Sequence, residues 1–146
     1  MEIKKADSED MKKLVPVLKE FFPVHAVFTK SDEEVFNYLK TFSGDIFVAV
    51  EKDEVLGGLA LSWRTYGHKV AFFKHIAAKN EDKEVIKKLV EEAEKLTDAG
   101  KIEMHIAEGE KIPPIFFVEE LGYELEGELK SHYRPGESCY IVGKVK

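Results

Sequence analysis

A chain of 146 residues holds one domain with a real core, burying somewhat under roughly 70% of its unfolded surface, and falls short of two ordinary domains. Its 44% hydrophobic content argues for a folded globule, and its formal charge of -6 argues against a duplex-binding face and so against a nucleic-acid partner. The single cysteine, Cys139, rules out an internal disulfide and a cysteine-built zinc knuckle, and its simplest reading is a small core residue of the last strand.

The opening stretch MEIKKADSEDMKK is charged throughout, and no later run approaches the roughly 20 apolar residues of a bilayer span. A cytoplasmic protein without a membrane partner is expected. The composition is rich in Lys and Glu, with no Gln and only Asn37 and Asn80 as Asn, which is associated with thermophile proteins.

Glu2 to Lys5 is predicted as a short strand, after which Asp7 or Ser8 offers a helix cap ahead of Met11, Leu14, Val15 and Leu18 at helical spacing. Pro16 inside that pattern predicts a kink or a late start. After the apolar loop FFPVHAVFT, Ser31 and Glu34 make a capping-box pair for a second helix through Val35, Tyr38 and Leu39. Asp45 to Glu51 is apolar on both faces, as in a central strand, and Lys52-Asp53 turns it into a second strand, Val55 to Tyr66. Gly57-Gly58 there marks a bulge or a close backbone approach, and Val70 to Ala78 completes a meander.

The next helix, Asp82 to Leu96, carries one stripe of Val85, Ile86, Leu89, Val90, Ala93 and Leu96, with Glu84/Lys88 and Glu91/Lys95 on its outer face. Gly100 ends it, Ile102, Met104 and Ile106 alternate as a strand, and Pro113 opens a short helix that stops at Gly122. Tyr123 to Lys130 then alternates, with Tyr123, Leu125 and Leu129 on one face, before a turn at Arg134-Pro135-Gly136 and a last strand, Ser138 to Val145. The predicted order is β α α β β β α β α β β over one domain, residues 1–146.

Three stretches give this order a likeness: DIFVAVEKDEVLGGLAL, HIAAKNEDKEVIKKLVEEAEKL and PIFFVEELGYELEGELKSHY. Over essentially the whole chain the sequence resembles the GNAT superfamily of N-acetyltransferases. The resemblance implies an α+β fold, a mixed and mostly antiparallel twisted sheet of about seven strands flanked by four helices. It also implies acetyl-coenzyme A as co-substrate, its pantetheine arm along the fourth strand and its diphosphate on N–H groups at the next helix start. Unpaired N–H groups and the positive end of the helix dipole favour an anion there.

The family pattern at that helix start is Gln or Arg, two residues, Gly, one residue, Gly or Ala. This sequence has Glu81, Glu84 and Ile86 at those places. Glu81, Asp82 and Glu84 would satisfy the dipole themselves, whereas Lys79, Lys83, Lys87 and Lys88 would favour a phosphate. The resemblance thus places cofactor contacts at Ile76 and Ala78 on the strand, at Glu81, Lys83, Glu84, Val85 and Ile86 on the loop and helix, and at Lys111 and Phe117 beyond. The family's proton-donating Tyr falls on Val118 and its Asn on about Lys111, leaving Tyr123, Tyr133 or Tyr140 to take over, Tyr123 first.

Amine acylation needs a base with a pKa not far from neutral and donors for an oxyanion. His75 is the first candidate base, followed by His105 and Glu108, with backbone N–H groups from Ile76 to Ala78 as oxyanion donors. Each histidine is also readable as a half-buried strand residue. His25, Phe28, Trp63 and Tyr133, with His132, fall where the family binds its acceptor, a small-molecule or peptide amine. Five histidines without a close pair predict no metal site.

Two function classes remain open, an acyl-coenzyme A dependent N-acetyltransferase and a non-catalytic ligand-binding or dimerising protein on the same fold. A homodimer is open in either class. They differ in whether the gap between the fourth and fifth strands is open or filled by Lys111, Phe116 and Phe117. A third class, an unrelated α+β binding domain, turns on whether Ala71–Ala78 and Lys101–Ala107 are neighbouring parallel strands.

Overall fold

The computed structural model describes residues 1–146. Strand β1 (Glu2–Lys5) leads into helices α1 (Ser8–Phe21) and α2 (Asp32–Lys40), and a meander follows: β2 (Asp45–Glu51), β3 (Glu54–Thr65) and β4 (Lys69–Ala78). A 3₁₀ turn (Lys79–Glu81) joins β4 to α3 (Lys83–Leu96), and β5 (Lys101–Ala107), α4 (Pro114–Leu121), β6 (Glu124–Lys130) and β7 (Ser138–Val145) complete the chain. The seven strands form one sheet in the order β1-β2-β3-β4-β5-β7-β6, antiparallel throughout except for β4 and β5. The element order is the expected one, and β4 and β5 are neighbouring parallel strands.

Local chemistry sets the helix boundaries. The Asp7 carboxylate accepts the Asp10 N–H and the Asp10 carboxylate accepts the Asp7 N–H, a reciprocal capping box. Helix α1 then runs straight through Pro16, which is exposed and costs one backbone donor. Ser31 caps α2 by accepting the Glu34 N–H at 3.2 Å. Asp82 turns out to be the cap of α3 rather than its first residue, and the ion pair on the outer face is Glu92–Lys95 at 3.1 Å. No helix is long and apolar enough to cross a membrane.

The core lies on both faces of the sheet, because α1 and α3 pack on opposite sides of β3. Gly57 and Gly58 make this close approach feasible. A Cβ on Gly57 would meet the Ala77 carbonyl at 2.5 Å and Val85 of α3 at 2.9 Å, and one on Gly58 would meet Leu14 of α1 at 2.6 Å. Buried Leu14, Leu18, Leu59, Phe73, Ile86, Leu89, Ile102 and Met104 fill the two layers. In β6 the expected inward face breaks down. The register shifts between Leu125 and Gly127, so Leu125 is 59% exposed while Tyr123, just before the strand, is 2% exposed.

Candidate active site

Strands β4 and β5 pair only over Val70↔Lys101, Ala71↔Ile102 and Phe72↔Glu103. Beyond Phe72 they part. On its other side β4 stays with β3, but Gly58 faces Ala77 and Ala60 faces Lys74, so Leu59 opposes both His75 and Ile76. That extra residue is a β-bulge, which bends a strand and tightens its twist. His75 adopts φ 54°, a left-handed conformation that costs a non-glycine residue free energy and clusters at functional sites. The outcome is an edge inside the sheet: from Phe73 to Ala78, β4 has a partner strand on one side only.

At the far end of this edge the chain reverses through Asn80 and Glu81, at φ 55° and 53°. The Asp82 carboxylate then accepts the N–H groups of Glu84 (3.0 Å) and Val85 (3.4 Å), and the Ile86 N–H goes to the Asp82 carbonyl at 3.2 Å. These are the donors that a diphosphate at a helix start would use. Three of the nearby cations are engaged elsewhere. Lys79 pairs with Glu54 at 2.7 Å, Lys111 donates to the Glu20 carbonyl at 2.9 Å and lies over Phe21, and Lys83 lies over Phe116. The cavity left among Val17, Glu20, Phe21, Ala78, Glu81 and Lys111 is about 30 Å³, room for a water or two. The helix start therefore does not fit a diphosphate, while the strand edge leaves backbone groups without a partner strand.

Two loops close over the gap from either side. On one, His25 stacks on Phe28 with ring centres 4.5 Å apart, and both face His75 at 5.4 and 5.0 Å. The Tyr38 hydroxyl lies 2.8 Å from His75 Nε2. Burial, reinforced by His25 and Lys74, pushes the His75 imidazole down to about 3, so it is neutral at neutral pH. Burial and then the Arg134 charge also lower His25, and its Nδ1 accepts the Val27 N–H at 3.1 Å, which leaves the proton on Nε2.

The other loop, between β6 and β7, presents Tyr133 and Arg134. Arg134 pairs with Glu137 at 2.7 Å and acts electrostatically on His25 and on Glu110, linking the two sides of the gap. Glu110 follows the end of β5. Burial pushes its carboxyl up to about 7, with Glu137 adding to the rise and the Ala107 N–H, 3.3 Å away, opposing it together with Arg134. Burial likewise lifts Tyr133 to about 12 and raises the Cys139 thiol, which keeps Cys139 protonated.

The gap thus gathers His25, Phe28 and His75 on one side and Tyr133 on the other, with Ile76 and Ala78 along the edge between them. The remaining expected residues lie elsewhere. Trp63 pairs in register with Ala71, at the closed end of β4 and β5. It is 46% exposed under the Lys69 ammonium, and so does not join the acceptor loops. Tyr123 donates its hydroxyl to Glu94 at 3.0 Å, and Lys144, which binds the same carboxylate at 3.0 Å, sits opposite Ile102 at that same closed end. Burial raises the Tyr123 phenol well above its ordinary value. Val85, Ile86 and Phe117 turn their side chains into the core, whereas Glu81, Lys83 and Glu84 are exposed. Glu108 accepts the Ser138 N–H at 3.1 Å, and His105 faces His132 at 6.2 Å. Spacing arguments do not single out Glu110: the charged groups that act on it, Arg134 and Glu137, lie more than twenty positions away.

No protein-family model and no curated protein matches the sequence. Solved structures do. The aminoglycoside 6'-N-acetyltransferase from Enterococcus faecium aligns at TM-score 0.81 and 16% identity, over 99% of this chain and 97% of that one. An aminoglycoside 6'-N-acetyltransferase complexed with coenzyme A aligns at 0.78 and 17%, over 99% and 97%. The ribosomal-protein-alanine N-acetyltransferase from Brucella melitensis aligns at 0.73 and 15%, over the full length of both. With the parallel β4/β5 pair splayed inside a seven-stranded sheet and these alignments covering the whole chain, the fold is that of the GNAT superfamily of N-acetyltransferases.

Proposed function

We propose that the chain is an N-acyltransferase that passes an acetyl group directly from a thioester to the amine of a small molecule or peptide. The open β4 edge from Phe73 to Ala78 carries this reading. Backbone donors and acceptors that lack a partner strand are a template for an extended chain, and the amides of a pantetheine arm match it as a strand would. The structural neighbours support the reading, since their names include acetyltransferases and one is bound to coenzyme A.

In this reading Glu110 is the base. A carboxyl near 7 is half ionised at neutral pH and able to take a proton from an ammonium. The freed amine attacks the thioester carbonyl and forms the C–N bond while N–H groups between Ile76 and Ala78 donate to the developing oxyanion; collapse restores the carbonyl, breaks the C–S bond and sheds the second proton from the nitrogen. A thiolate is a good leaving group, and it takes up the proton that the nitrogen sheds, directly or through solvent. His25, Phe28, His75 and Tyr133 then wall the acceptor. His75, neutral and held by Tyr38, serves as wall rather than base.

A second reading, a non-catalytic protein on the same fold, is favoured by one observation: Asp82 occupies the N–H groups that the family uses for its cofactor. Incubating the purified protein with acetyl thioesters and a panel of amines and peptide N-termini, with mass spectrometry of the products, decides between them. Acetylated amine is the expected result. No product from any amine would leave the non-catalytic reading in place.

A further inference from the structure

We infer that the donor is recognised by the pantetheine arm of its thioester and not by a nucleotide diphosphate, an inference that rests on the acyl-transfer reading above. The arm's half of the site is intact. Six residues of β4, Phe73 to Ala78, run without a partner strand on the gap side, and at roughly 3.3 Å per residue that edge is long enough for an arm with two amides.

The diphosphate's half is occupied by the chain itself. Asp82 has taken the Glu84 and Val85 N–H groups, and Glu81 and Glu84 add like charge beside it. Lys79 is neutralised by Glu54. Lys111 is drawn to the Glu20 carbonyl and narrows the remaining cavity to about 30 Å³. A nucleotide therefore adds no attraction to what the arm supplies. The donor class is a pantetheine or phosphopantetheine thioester, free or carried on another protein.

Titration calorimetry of the intact protein with pantetheine, 4'-phosphopantetheine and coenzyme A tests this directly. Dissociation constants within about threefold of one another are expected. In Asp82→Gly, coenzyme A is expected to tighten by about tenfold or more while pantetheine stays unchanged, with a melting curve to confirm that the variant is folded. Coenzyme A binding thirtyfold tighter than pantetheine to the native protein, a comparison that needs no variant, would overturn the inference and leave the acyltransferase reading standing. Binding of none of the three would overturn both. The two sources separate kinetically: a KM for an acetylated carrier domain at least tenfold below that for free acetyl-pantetheine assigns the carrier-borne arm, and equal values assign the free thioester.

Discussion

The two ends of the β4/β5 pair are made of the same strands and have opposite physics. At the closed end, Val70 to Phe72 are laddered to β5, and the Tyr123 hydroxyl and the Lys144 ammonium meet on one carboxylate, Glu94. At the open end the ladder stops, His75 holds a left-handed conformation, and Glu110 and His75 sit far from their ordinary pKa values. Satisfied polar groups mark the end that holds the sheet together. Backbone strain and an unpaired strand edge mark the other.

The comparison is broken most severely at Tyr123. Tyr123→Ala removes a buried aromatic and strands Glu94 and Lys144, at an expected cost of about 3–5 kcal/mol, with turnover per folded molecule unchanged. Denaturant unfolding read beside an activity titration checks both halves, and a specific loss of turnover would move the chemistry to the closed end. Next comes Glu110→Gln, for which kcat/KM should fall by about a hundredfold. Its pH profile sharpens the point. In the proposed mechanism Glu110 acts deprotonated, so with its carboxyl at about 7 the native rate should rise as pH rises through that value and then level off. The variant should lose that limb. A limb that persists would assign the base elsewhere. The smallest effect is at Trp63, exposed beneath Lys69. Trp63→Ala should cost about 1 kcal/mol or less and leave KM for the acceptor untouched, and a raised KM would put Trp63 back in the acceptor site.

The fold was legible because its signals are local. Caps at Asp7 and Ser31, the Val85-to-Ala93 stripe and the Gly57-Gly58 pair each act within a few residues or through one neighbouring element, and together they fix the element order. The site was legible only in part. Strand alternation tells which face a residue takes but not which end of the sheet it reaches, so Trp63 and Tyr133 look equally suited to an acceptor site, though only Tyr133 reaches the gap. Asp82 reads equally well as a first helical residue and as a cap, and only the left-handed turn before it makes it a cap. The register shift between Leu125 and Gly127 exposes Leu125 within an alternation that the sequence keeps perfectly regular.

The interior edge of β4 also bears on solubility. An exposed strand edge ordinarily invites other chains to add on, and proteins blunt theirs with charge. The outer edges here, β1 and β6, carry Glu2, Lys4, Lys5, Glu124, Glu126, Glu128 and Lys130. The β4 edge needs no such guard. Lying between β3 and β5 of its own sheet, it has the chain's own strands on both sides, so the unpaired edge is not presented at the rim of the sheet as a seed for aggregation.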